Sequence, residues 1–109
     1  MMSTDELNEA AMNIIMLAGD SRDASSKAIK ATLEDAPDSE IDDLMAQAKT
    51  KVVEAHRIQT EIIQQTLEDD LHNTLFFSHA QDTLMTVQSE LNTFTYIIQM
   101  YRKLKSERS

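Results

Sequence analysis

The chain reads as an all-α protein, an up-down-up antiparallel bundle of three long helices forming one domain over residues 1–109, and three observations carry that reading. Apolar residues recur three and four apart through most of the chain, and no long window alternates apolar with polar. The breaks are few: one proline-containing segment and one acidic, polar segment, in a chain with a single glycine and a single proline. Three helices of similar length with short connections pack most simply as antiparallel neighbours. No repeat period of about 20 to 50 residues is present, which excludes a helical-repeat array.

The first helix spans about residues 4–34, opening where Ser3 and Glu6 have capping-box spacing. Its inward positions are Leu7, Ala10, Ala11, Ile14, Leu17, Ala18, Ala24, Ala28 and Ala31. Gly19 interrupts the pattern, at a cost of about 1 kcal/mol relative to alanine. Because the period resumes in phase beyond Asp20-Ser21-Arg22-Asp23, the helix is expected to continue through it.

Glu34-Asp35-Ala36-Pro37-Asp38 ends that helix, since proline stops one helix and pre-sets the first turn of the next. The second helix covers about residues 38–69, with Ile41, Leu44, Met45, Ala48, Val52, Ala55, Ile58 and Ile62 inward and Val53 and Ile63 widening the stripe. Its acidic start suits the positive end of the helix dipole. Glu68-Asp69-Asp70-Leu71-His72-Asn73 is the next break, with Asn73 expected as N-cap.

The third helix, about residues 74–105, carries an inner stripe at Phe77, Ala80, Leu84, Val87, Leu91, Phe94, Ile98 and Tyr101. Roughly opposite runs a second stripe, His79, Asp82, Thr86, Ser89 and Thr93, polar for three turns and then apolar at Ile97 and Met100. Two readings stay open: a solvated face with an ordinary surface histidine, or an interface with another copy of the chain, which would cover Ile97 and Met100.

The balance of 10 basic against 19 acidic residues, a net charge of −9, disfavours nucleic acid and direct contact with anionic membranes. No apolar run reaches the roughly 18 residues of a membrane span, and no charged-then-apolar leader is visible, so a cytoplasmic location is expected. With zero cysteines, disulfides, zinc–thiolate sites and thiol catalysis are excluded. There is no glycine-rich phosphate loop, no nucleophilic-serine signature and no paired Glu-x-x-His motif. Asp69-x-x-His72 and His79-x-x-Asp82 come nearest to metal-ligand pairs.

Of the three histidines, His72 falls in a connection and His56 beside an inward stripe, where a half-buried structural role is expected. His79 shares a face with Asp82 and heads a run of small hydroxyl side chains. An imidazole, whose ordinary pKa is about 6.5, is a competent nitrogen nucleophile at neutral pH.

The stretch from Ala55-His56-Arg57-Ile58 to Ile62-Ile63-Gln64, followed by Ser78-His79-Ala80-Gln81-Asp82-Thr83-Leu84-Met85, resembles the lactose/cellobiose (and chitobiose) class of IIA components of the bacterial sugar phosphotransferase system. Ile14-Ile15-Met16-Leu17-Ala18-Gly19-Asp20-Ser21-Arg22 is similar to that family's alanine-glycine segment, so three blocks match in order over nearly the whole chain. The resemblance implies that His79 accepts a phosphoryl group from the histidine phosphocarrier HPr and passes it to a cysteine of a IIB partner. It implies that Asp82 from each subunit of a homotrimer meets at the threefold axis around a divalent metal, Mg²⁺ by its oxygen preference. It makes Gln81 a candidate contact to phosphate or partner. Membrane contact would come only through the IIB/IIC transporter, whose IIC component selects the disaccharide.

Thr83 stands where many members of that family have a second histidine. Two rival readings accompany the phosphocarrier: a structural or regulatory adaptor trimer in which His79 is inert, and a metal-dependent helical enzyme in which His79 and Asp82 of one subunit are ligands.

Overall fold

A computed structural model describes residues 3–69 and 74–108, without the side chains of 66–69. It contains three α-helices, α1 (Thr4–Leu33), α2 (Asp38–Asp69) and α3 (Leu75–Arg108), and no strand among the described residues. Together they form a rod of 60 × 18 × 17 Å.

Each helix end has a local cause. The Ser3 hydroxyl accepts from the Glu6 N–H at 3.1 Å while the Ser3 N–H donates to the Glu6 carboxylate at 3.2 Å, a complete capping box. α1 runs unbroken through Gly19 and closes in a Schellman motif: the Ala36 N–H reaches the Ala31 carbonyl at 2.9 Å and the Asp35 N–H reaches that of Thr32 at 3.1 Å. That turn places Asp35 at a φ of +56°, a conformation in which aspartate is better tolerated than most residues. The Pro37 carbonyl then accepts from the Ile41 N–H at 3.3 Å to begin α2.

The N-cap of α3 differs from expectation. Thr74 supplies it, its Oγ1 accepting from the Phe77 N–H at 3.0 Å and its carbonyl from the Ser78 N–H at 3.0 Å. Asn73, the expected cap, lies outside the described residues, as do His72 and the pairing of Asp69 with it. At the other end α3 extends past the expected stop near 105 to Arg108, with Lys105 and Arg108 in its last turn, where cations suit the helix dipole.

Contacts between helices set direction and register. Thr74 Oγ1 donates to Asn8 Oδ1 at 3.0 Å, and Arg22 meets Glu90 at 3.0 Å, so α1 and α3 run parallel. Ser21 Oγ donates to the Ala48 carbonyl at 2.8 Å, His56 pairs with Gln88, and Arg102 reaches Asp42 at 2.8 Å, so α2 runs antiparallel to both. The up-down-up order follows.

α1 is the hub. Its buried positions are mostly alanine, and it packs against both other helices, whereas α2 and α3 meet over less surface. Between them opens a groove of about 600 Å³ lined by Met45, Val52, His56, Gln88, Leu91 and Tyr96, among others. The thin α2–α3 seam explains one correction: Val53 and Ile63, expected to widen the inward stripe, are exposed because no helix covers that flank. Ser21, Ser25 and Thr32, which periodicity does not place inside, are buried; each hydroxyl donates to a backbone carbonyl, which removes the cost of burying it.

Candidate functional site

The inner stripe of α3 is buried at Phe77, Ala80, Leu84, Val87, Leu91 and Ile98, with Phe94 and Tyr101 half-buried. That packing fixes the rotation of the helix and turns the whole opposite stripe, from His79 and Asp82 to Ile97 and Met100, to the outside. His79 therefore sits on the first turns of a long rigid helix, held there by the Thr74 cap and by Ala80 and Leu84 beneath it. Both His79 and Asp82 line an open recess of about 610 Å³, together with Leu75, Phe76 and Ser78.

The structure thus brings His79 and Asp82 together and separates Gln81 from them. Two residues along a helix is a rotation of about 200°, so Gln81 projects on the other flank of α3. It is half-buried there and does not line the recess. Thr83 spends its hydroxyl on the His79 carbonyl at 2.9 Å, and Thr86 does the same to that of Asp82 at 2.9 Å. Both hydroxyl protons are thereby directed at the helix backbone.

The apolar wall of the recess, Leu75 and Phe76, was not among the residues singled out from the sequence. Its signal is the pair of hydrophobic residues ahead of the inner stripe, of which Leu75 is 89% exposed. His56 takes the half-buried structural place expected of it, its Nε2 bonded to Gln88 Oε1 across the α2–α3 seam. Among the described residues of one chain, no three His, Cys, Asp or Glu side chains gather as a metal cage. Nor is any described helix long and apolar enough to cross a membrane.

At the far end of the rod the Asp35 carboxylate accepts from the Tyr101 hydroxyl and from Lys105 Nζ, the latter at 3.0 Å. Those two hydrogen bonds, the Tyr101 one foremost, hold the Asp35 carboxyl below its ordinary pKa; the carboxylate in turn raises those of Tyr101 and Lys105. Arg102 bridges Asp38 at 3.2 Å and Asp42 at 2.8 Å. These pairs clasp the end of α3 to the α1–α2 hairpin.

A rigid helical rod that presents one imidazole beside one carboxylate, in a recess open to solvent, has the build of a protein acting on other macromolecules at its surface. Residues 9–102 match the model of the lactose/cellobiose-specific IIA subunit of the phosphotransferase system, and the chain belongs to that family. It is 30% identical over 107 residues to the lactose-specific EIIA component of Lacticaseibacillus casei, with 96% of this chain and 95% of that protein covered. Its fold is similar to the cellobiose-specific enzyme IIA of Bacillus anthracis, with a TM-score of 0.83, 29% identity, and 97% and 95% of the two chains covered. It is also similar to the IIA(chitobiose) chain solved with HPr from the N,N′-diacetylchitobiose branch of the Escherichia coli phosphotransferase system, with a TM-score of 0.80, 30% identity and coverage of 92% and 97%.

Proposed function

We propose that the protein is the phosphocarrier of a disaccharide branch of the phosphotransferase system, of the lactose, cellobiose or chitobiose type, with His79 as the acceptor. The observation that carries this reading is the exposure of His79 at the head of α3, in a recess open enough for a partner protein, within the matched family span. An imidazole nitrogen of His79 attacks the phosphorus of phospho-HPr; its N–P bond forms as the donor's N–P bond breaks and that electron pair returns to the donor imidazole. The cysteine sulfur of IIB then attacks in turn, forming S–P and restoring His79. Such a transfer needs positioning more than covalent machinery, which suits a lone imidazole on a stiff helix. HPr as donor is supported by the HPr complex of a similar IIA protein.

Assembly as a homotrimer accounts for the outer face. Met85, Tyr96, Ile97 and Met100 are 65%, 66%, 46% and 63% exposed on a helix whose other face packs into the bundle. Packing three copies around that face covers them and turns the Gln81 flank of one α3 towards the His79 flank of the next, which would make Gln81 a contact in trans. Three Asp82 carboxylates would then converge and repel unless a cation neutralised them, and their all-oxygen donor set fits Mg²⁺. The metal, when bound, would supply charge compensation at the axis; Asp82 is its ligand and His79 remains the group that moves phosphate.

Incubation with enzyme I, HPr and phosphoenolpyruvate, followed by intact-mass spectrometry at neutral pH, tests the assignment. The expected result is one acid-labile phosphate per chain, absent from His79→Ala. A folded wild-type chain that gains no phosphate from active partners overturns it and leaves the adaptor reading.

A further inference from the structure

An exposed leucine signifies little by itself, since much of any protein surface is apolar, and what matters is its place. Leu75 is the first residue of α3 and is 89% exposed, so it contributes little to the packing of its own chain. The next residue, Phe76, is half-buried against the core and anchors the opening turn. The start of the helix is capped by Thr74, whose hydroxyl and carbonyl take the N–H groups of Phe77 and Ser78. Neither the core nor the cap uses the Leu75 side chain.

The position of His79 supplies a use. Leu75 precedes it by four residues, so the two share a face of α3. The Cα–Cβ bonds of a helix tilt towards its N-terminus, and the His79 side chain therefore leans back over the turn that Leu75 begins. The recess has the same layout: Leu75, Phe76 and Ser78 precede His79 in its lining, and Asp82 alone follows it. A phosphoryl group carried by His79 would stand against an apolar wall. The hazard at such a site is water. In hydrolysis a water oxygen attacks the phosphorus in line with the N–P bond; that bond breaks, its electron pair returns to the imidazole nitrogen, a proton of the water follows, and inorganic phosphate leaves. A water molecule is held in place by polar partners, and large apolar side chains beside the phosphorus offer it none.

We propose that Leu75, braced by Phe76, shields the phosphoryl group on His79 from water, a reading that rests on the phosphocarrier assignment. The leucine covers the phosphorylated ring while the carrier is between partners. Its exposure leaves it room to swing aside when a docked partner brings a nucleophile to the phosphorus. Leu75 is thus a positioning residue: it sets how much phosphate is delivered and how much is lost to water, and His79 accepts phosphate without it.

The test loads the wild type, Leu75→Asn and Leu75→Met with phosphate through enzyme I, HPr and phosphoenolpyruvate, removes all three by gel filtration, and follows the loss of phosphate at neutral pH by intact-mass spectrometry. Thermal melts and sedimentation accompany each protein. Because no partner is present during the decay, docking plays no part in the readout. Leu75→Asn should lose its phosphate about threefold faster than the wild type, or more. Leu75→Met restores an apolar cover of similar volume and should decay at the wild-type rate. Melting temperature and sedimentation should be the same for all three, since an exposed side chain in the first turn carries little of the fold. A wild type that takes no phosphate defeats the underlying assignment and with it the shield. A phosphorylated wild type that decays as fast as Leu75→Asn overturns the shield alone, as does equal acceleration in Leu75→Met. Faster decay of Leu75→Asn that comes with a change of oligomeric state also overturns it, and makes a neighbouring copy the cover.

Discussion

On the inner face of α3, Leu84 and Val87 are almost wholly shielded and each side chain has one place to go; on the outer face, Met85 and Thr86, the two residues between them, stand in solvent. The inner face has its partners inside the chain. The outer face has an apolar end without one, and carries His79 and Asp82 at its other end. Folding energy and the proposed transfer site therefore occupy opposite sides of one helix. The arrangement leaves His79, the proposed acceptor, free of core contacts that a phosphoryl group would disturb.

The harshest way to sharpen that contrast is Leu84→Ala, which removes a fully buried side chain and should cost about 2–5 kcal/mol. Urea titration followed by circular dichroism measures it, at matched protein concentrations because assembly shifts apparent stability. A loss below about 1 kcal/mol would mean the inner face is less tightly packed than its burial implies.

Ile97→Asp combined with Met100→Asp is the outer-face counterpart. The separated subunit should keep its helix content, each change moving its stability by about 0.5 kcal/mol or less. If the proposed trimer packs through this face, the double variant should sediment as a monomer and the wild type as a trimer. Equal sedimentation of the two proteins would break the comparison, since the outer face would then be simply solvated.

The smallest effect is expected at the far end, where Tyr101 and Lys105 clasp Asp35. The folded-state pKa of Asp35 is depressed, so its contribution is present above the unfolded value and is lost as the pH falls through the folded one, below the ordinary 3.8. Tyr101 and Lys105 are raised, so theirs persist until the pH climbs through folded values above 10.0 and 10.5. Tyr101 ring resonances followed by NMR from neutral pH to about pH 2 should report local release of the clasp, while those of the inner face at Phe77 stay unchanged until global acid unfolding. Simultaneous movement of both would show that the end of α3 is not a separate unit.

Several features were legible in the chain because they depend on local order. The 3.6-residue period placed the inner face of α3 and the alanine stripe of α1, the Ser3–Glu6 spacing declared the capping box, and the in-phase period across Gly19 announced a continuous α1. Even the half-buried His56 followed from its place beside an apolar stripe. What periodicity reports is which side of a helix wants cover, and it carries no information on which neighbour provides it. Only packing in three dimensions left Val53 and Ile63 outside, because the α2–α3 seam is thin there. Only packing buried Ser21 against the Ala48 carbonyl, a partner 27 residues away, and set the register of the two parallel helices α1 and α3 through Asn8–Thr74 and Arg22–Glu90. The adjacency of His79 and Gln81 in the sequence is likewise undone by the helix itself, which turns neighbours in the chain to opposite flanks and brings together residues three or four apart.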